Sequence, residues 1–296
     1  MIPPREQWCI QIDVTNACPR RCSNCTRLLA HARGRWDVSL VDFARAVEAL
    51  ADFPAESTPD RRGRRKVVGI IGGEPLLHPQ FAELCEIMIE AVPEMRHRGL
   101  WTGLRYDRHP FRAAVERLIG PKPSPAGNRD ATGGYLNQNL HDKDCFHQPV
   151  LVAVQDVVRD EAAMWELIDR CPLQEEWSAA ITPKGFFFCE VAGAMDLVFV
   201  GPGGLPVTPA CWRHDLAAYR EQIERWCPRC GVCLPLAGRL DRERVDDVSR
   251  SNLETLRRLK SPRILAGDYA LFDTEAYDPS THRPGWTPLE YLRKRA

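Results

Sequence analysis

The sequence carries no excess of either charge. Forty basic residues face forty acidic ones along 296 positions, which removes any global electrostatic case for nucleic acid or membrane as partner. No apolar run is long enough to span a bilayer. The opening MIPPREQW lacks the basic-then-apolar layout of a secretory signal, so the expected location is the cytoplasm. There is no internal repeat, and at 44% hydrophobic and 27% charged residues nothing in the composition points to disorder. Disulfides are rare in a reducing compartment. The twelve cysteines therefore call for another explanation.

The first two thirds of the chain alternate between strand-like and helix-like segments. Trp8 to Val14 is a short β-rich run. Ser39 precedes a helical pattern with Leu40, Phe43, Val47 and Leu50 on one face, and Asp42 stands where a capping box wants an acid. Lys66 to Ile71 is a continuous apolar run of the kind buried in a parallel sheet. A helix follows over Phe81, Leu84, Met88 and Ala91, stopped by Pro93. Strands are expected at Gly99 to Arg105, Tyr135 to Leu140, Pro149 to Val154 and Trp177 to Ile181, and further helices at Phe111 to Leu118 and Glu161 to Asp169. Two loops break the rhythm: a basic one over 56–66, and one over 122–134 rich in Pro and Gly. Repeated βα units imply an α/β fold with a parallel sheet, open or curled into a partial barrel. Past Thr182 the character changes. A hairpin turn (Thr182 to Gly185) leads into short helices near Ala192, Leu216 to Trp226 and Leu253 to Leu259, with cysteines between them. The boundary is set at residues 1–181 for the sheet domain and 182–296 for a small Cys-rich, metal-binding extension.

Cys18, Cys22 and Cys25 are separated by three and two residues on a loop leaving the first strand. Three thiolates at that spacing can wrap one face of a [4Fe–4S] cube and leave its fourth iron open for chemistry; a structural zinc site wants four ligands. The run from Asp13 to Cys25 (DVTNACPRRCSNC) resembles the cluster loop of the radical S-adenosylmethionine (SAM) superfamily. Gly72-Gly73-Glu74-Pro75, directly after the second strand, is similar to that family's SAM-amine motif. The resemblance implies a partial (β/α)6 TIM-like barrel and a [4Fe–4S] cluster whose open iron is chelated by the methionyl group of SAM. It also implies an electron donor such as flavodoxin or ferredoxin, and a 5′-deoxyadenosyl radical that abstracts hydrogen. Glycines permit close backbone approach, and Glu74 is expected to face the ammonium. One departure concerns position 24, commonly aromatic in the family and near adenine, where this chain has Asn24.

Five further cysteines follow: Cys189, Cys211, Cys227, Cys230 and Cys233. Spacings of two residues let one metal or cluster be gripped by consecutive turns. The pattern resembles the shortened auxiliary-cluster extension, twitch, related to the longer SPASM domain. The expected ligands of a second [4Fe–4S] cluster are Cys189, Cys211, Cys227 and Cys230, with Cys233 as substitute; zinc on the same ligands is the alternative. Cys9, Cys85, Cys145 and Cys171 read as small buried side chains.

Tyr135 to His141 alternates in polarity, so Asn137, Asn139 and His141 are expected on one strand face, turned toward substrate. His147, Gln155, Trp177 and Glu190 are weaker candidates. The expected function is hydrogen abstraction from a small organic substrate, ending in rearrangement, oxidation or coupling. A peptide-modifying maturase and a nucleotide- or DNA-base-modifying enzyme are the enzymatic alternatives. An iron–sulfur or zinc structural protein is the non-enzymatic one.

Overall fold

The computed structural model describes residues 1–55, 60, 62–121, 123, 132–141 and 144–277, with nothing said of the side chains at 174 and 175. Its centre is a six-stranded sheet. In it β1 (Cys9–Asp13) lies between β2 (Val67–Ile71) and β6 (Ala179–Thr182), β2 is followed outward by β3 (Arg98–Thr102) and β4 (Tyr135–Gln138), and β7 (Gly185–Phe187) forms the other edge. Every pairing from β4 to β6 is parallel; only the β6–β7 hairpin is antiparallel. Two small pairs complete the β structure: β5 (Phe146–His147) with β8 (Arg239–Leu240), and β9 (Asp246–Val248) with β10 (Tyr269–Leu271).

The helices α1 (Leu40–Leu50), α2 (Phe81–Ala91) and α3 (Arg112–Ile119) follow β1, β2 and β3. The Ser39 side chain caps α1 by accepting from the Asp42 amide at 3.0 Å, and α3 ends at Gly120 with φ +84°. Their buried residues join Ile10, Ile12, Val14, Val68, Ile70 and Leu100 in one apolar core. All three helices therefore cover the same sheet face, a singly wound arrangement. The opposite face carries Gln11 and Asp13 together with Trp8, Trp101 and Tyr135, whose rings pack on one another with centroids 4.9–6.1 Å apart. Beyond the sheet lie α4 (Val154–Val157), α5 (Glu161–Asp169), α6 (Leu173–Glu176), α7 (Glu190–Val198), α8 (Arg220–Trp226), α9 (Arg250–Arg258) and α10 (Pro262–Leu265). No helix among the described residues is long and apolar enough to cross a membrane.

Two expectations need correction. Pro149 to Val154 is buried but is not a strand of the sheet. Its backbone is engaged by the C-terminal third: Gly231 N–H donates to Val150 O, Ser249 N–H to Leu151 O, and Ala153 N–H to the Ser249 hydroxyl. Among the described residues it pairs with a strand only through the single parallel bridge of Leu151 with Val248 of β9, and burial outside the main sheet looks the same in sequence as burial within it. Next, β4 stops at Gln138 and His141 has φ +53°, so polar alternation does not carry Asn137, Asn139 and His141 along one strand face. Within the 56–66 loop, Arg64 and Lys66 turn inward, while the Arg62 side chain stays 43% exposed. Arg62 pairs with Glu176, Arg64 with Asp60 and over the Trp8 ring, and Lys66 donates to Arg5 O. Positions 56–59 and 61, and most of 122–134, lie outside the described residues.

Candidate functional site

The loops at the carboxyl ends of β1 to β4 converge, where parallel α/β sheets generally bind ligands. The loop after β1 is threaded between two others. On one side Val38 N–H donates to Val14 O and Asn16 N–H to Trp36 O. On the other, Gly73 N–H donates to Thr15 O at 2.6 Å and Glu74 N–H to Ala17 O at 2.7 Å. The fit against Gly72 and Gly73 admits no side chain: a Cβ on Gly72, at φ +143°, would lie 2.4 Å from Thr15 O, and one on Gly73 2.3 Å from Ala17 O. The two glycines thus serve to seat the cysteine loop on the end of β2.

Cys18, Cys22 and Cys25 come together in this loop. Burial, then the neighbouring Cys25, push the thiol of Cys18 up to about 11 and that of Cys22 up to about 12, and burial also raises Cys25. Without a cation these thiols stay protonated; a bound metal reverses that preference. Beside them, Glu74 is 2% exposed and its carboxylate accepts from Thr102 Oγ1 (2.7 Å), Gly103 N–H (2.7 Å) and Leu76 N–H (3.1 Å). A carboxylate has about four acceptor sites, so one remains. Arg20 donates to Gly103 O and Leu140 O, while its buried Nε has no hydrogen-bond partner among the described residues.

Asn24 is 2% exposed and bound to β9. Its N–H meets Asp246, its amide donates to Asp247 Oδ2 at 2.8 Å, and Asp247 N–H returns the bond at 2.9 Å. With φ +49°, the position suits Asn better than an aromatic residue. Asp246 also holds His31 Nε2 at 2.8 Å and the fully buried Arg263. A strand near the C-terminus therefore clasps the cysteine loop, a long-range partnership no local motif announces.

Five of the other cysteines gather around a small cavity of about 30 Å³ near Ile168, Phe188, Met195 and Trp226. Its lining includes Cys171, Cys189, Cys227, Cys230 and Cys233. Burial raises all five thiols, Cys171 to about 11 and Cys230 to about 12. Cys211, expected among the ligands, is elsewhere: it lies beside Trp212 on a 3-10 turn, its carbonyl held by the Tyr219 hydroxyl at 3.0 Å. Cys171, read as a bystander, takes its place at the cavity. The available signal was distance from the hairpin rather than local spacing, since Cys171 and Cys189 flank β6 and β7.

Asn137 is exposed and interacts with Tyr135. Asn139 and His141 instead join a group around Cys145. Asn139 Nδ2 donates to Cys145 Sγ at 3.3 Å, His147 Nε2 is 3.6 Å from the same sulfur, and His147 Nδ1 meets Ser23 O at 2.7 Å. His141 Nδ1 is bonded to Asp241. Burial would raise the Cys145 pKa, but hydrogen bonds from His141 and His147 outweigh it and bring it down to about 6.

Fold and site define an α/β protein with one cysteine loop at the carboxyl ends of a mostly parallel sheet and a second thiol group beside the amino end of β6. No family model matches the chain, and no curated protein matches it. A crystal structure of BtrN in complex with AdoMet and 2-DOIA is similar over 76% of this chain and 92% of that chain, at 16% identity and a TM-score of 0.43. A likeness at that level carries no functional argument, so function is read from this chain's own residues.

Proposed function

We propose that this chain is a radical SAM enzyme that abstracts hydrogen from a small organic substrate. The observation that carries the reading is the convergence of Cys18, Cys22 and Cys25 with Glu74 and an Arg20 Nε that has no hydrogen-bond partner among the described residues, at the carboxyl ends of β1 and β2. The donor set suits the groups involved: three thiolates for three irons of a [4Fe–4S] cluster, one free carboxylate acceptor for an ammonium, one orphaned guanidinium N–H for a carboxylate. When bound, cluster and SAM supply reductive cleavage to a 5′-deoxyadenosyl radical. The protein's part is positional: Gly72 and Gly73 hold the loop, Thr102 and Gly103 fix Glu74, and the Asp246 clasp keeps the thiols together.

Residues 1–181, with β1 to β4 and most of β6, are read as the partial barrel, and the extension 182–296 as carrying a second metal centre to which Cys171 contributes from ahead of that boundary. Its thiols would be Cys171, Cys189, Cys227, Cys230 and Cys233, of which four suffice for a second [4Fe–4S] cluster. Zinc on the same thiols is the second reading there, since four cysteines are also the ligand set of a structural zinc site. A small substrate is favoured over nucleic acid because Arg64 and Lys66 are engaged by Asp60, the Trp8 ring and the Arg5 carbonyl. A cytoplasmic setting with flavodoxin or ferredoxin as reductant completes the proposal.

The test is anaerobic reconstitution with iron and sulfide, then dithionite and SAM. The expected product is 5′-deoxyadenosine, lost in the C18A/C22A/C25A variant. An iron-loaded chain that releases none overturns the reading.

A further inference from the structure

Outside the clustered cysteines assigned to iron lies a second kind of donor set, contributed by the segment after β4. One ligand atom from each of His141, Cys145 and His147 can be chosen so that all lie within 4.8 Å of one another. We propose that these three residues form a zinc-type transition-metal site with a fourth coordination position open to an oxygen or sulfur ligand.

The imidazoles are oriented for it. The carbonyl of Ser23 can only accept, so Nδ1 of His147, 2.7 Å away, carries a proton; Nε2, which donates to the Cys145 sulfur in the metal-free protein, is the nitrogen a metal would take in exchange for that proton. The Asp241 carboxylate holds His141 through Nδ1 in the same manner, leaving Nε2 as that ring's ligand atom. Metal-binding histidines typically have the second ring nitrogen engaged by a carboxylate or a backbone carbonyl, which fixes tautomer and ring plane. Here one histidine has each kind of partner.

The spacing agrees as well. Zn–S of about 2.3 Å and Zn–N of about 2.0–2.1 Å at a tetrahedral angle separate sulfur from nitrogen by about 3.6 Å. Cys145 Sγ and His147 Nε2 are 3.6 Å apart. That separation alone also suits a thiol–imidazole hydrogen bond; the added weight comes from the second oriented histidine on the same sulfur. Asn139 Nδ2 donates to Cys145 Sγ at 3.3 Å, a contact that favours a thiolate. The frame is tied down, since His147 lies in the β5–β8 pair and Asp241 N–H donates to Cys145 O at 2.9 Å. Two nitrogens and one thiolate select zinc-like ions over magnesium or calcium, which want oxygen. Three protein ligands and an open position are the pattern of reactive rather than structural zinc. The position is adjacent to the N-terminal cysteine loop, because ligand atoms of Cys22, His141 and Asp241 also lie within 4.8 Å of one another.

The site does not depend on the radical SAM reading, and its test is separable. The full chain, first loaded anaerobically with iron and sulfide, is titrated with cobalt(II) as spectroscopic probe. Wild type should take up one equivalent more than Cys145→Ser or His147→Gln, with thiolate-to-cobalt charge-transfer absorption and unchanged iron content. Equal cobalt uptake by wild type and both variants overturns the site. A second measurement needs no variant: saturating zinc should slow iodoacetamide alkylation of Cys145, read by peptide mass spectrometry, at least tenfold, and a chelator should restore it. Alkylation at the same rate with and without zinc likewise overturns it. Neither readout involves SAM cleavage, so an inactive chain with a cobalt difference would refute the enzyme reading and keep the site.

Discussion

Twelve cysteines in one chain do not share one chemistry, because each thiol takes its acidity from its surroundings. Cys18 and Cys22 are half-buried beside other thiols and acids, and loss of solvent pushes them up to about 11 and about 12. Burial also opposes ionisation of Cys145, yet hydrogen bonds from His141, His147 and Asn139 lower it to about 6. The thiolate is the nucleophile, so the sign is definite: in metal-free protein, Cys145 alkylation should rise through pH 6 and be near its plateau at pH 7. Cys18 and Cys22 should react only in strongly alkaline solution. Residue-resolved mass spectrometry across pH 5–10 checks this, and in H147Q the Cys145 midpoint should move upward. Cys171 and Cys211 make the matching contrast at the second thiol group. Cys211→Ala should leave metal content there unchanged, whereas Cys171→Ala should lower it or force a fifth thiol into use; metal analysis of the two reconstituted variants decides.

At the scale of elements, the site depends on loops pressed together closely enough to forbid a side chain. A Cβ at Gly72 would stand 2.4 Å from Thr15 O, in a backbone conformation other residues rarely adopt. Gly72→Ala should therefore cost about 1–3 kcal/mol and, by shifting the loop, reduce iron uptake; urea unfolding and iron analysis measure the two effects. Much of this region was legible in sequence. The run over Val67–Ile71, the Ser39 cap, the stop at Gly120 and the hairpin at Thr182–Gly185 are local signals, and the structure follows them. What could not be read depends on contacts across long chain separations. Pro149 to Val154 has a strand's composition, but its hydrogen bonds go to Gly231 and Ser249. Asn24 looked like a departure from an expected aromatic until Asp246 and Asp247, more than 200 residues away, supplied its partners. Alternation after Tyr135 suggested a longer strand than the four residues that pair with β3, and His141 instead turns toward Asp241. Local periodicity reports which face is buried, and it cannot report which distant backbone does the burying.

Across the whole molecule, the two thiol groups are joined by one buried charge network. Arg27, two residues past Cys25, donates Nε to Asp13 at 3.0 Å and pairs with Glu190 at 2.7 Å, and Glu190 directly follows Cys189. Gln11 accepts from the same guanidinium, and Ser178 donates to the other Glu190 oxygen at 2.8 Å. One cation thus faces two carboxylates on the polar face of β1, and burial raises the Asp13 pKa despite Arg27. Removing one partner of a buried ion pair leaves an uncompensated charge and typically costs about 3–5 kcal/mol. The two ends of this network are not equivalent. Arg27→Ala strands both carboxylates and should reach or exceed that range. Glu190→Gln keeps the shape, removes the surplus negative charge and leaves Arg27 paired with Asp13, so it should cost clearly less. The order, measured by urea unfolding of the full chain, distinguishes a charge-balanced network from mere packing, which would make the loss scale with deleted volume whichever charge is removed. If the network also couples the two thiol groups, Arg27→Ala should lower metal uptake at both, while Gly72→Ala should lower it only at Cys18, Cys22 and Cys25.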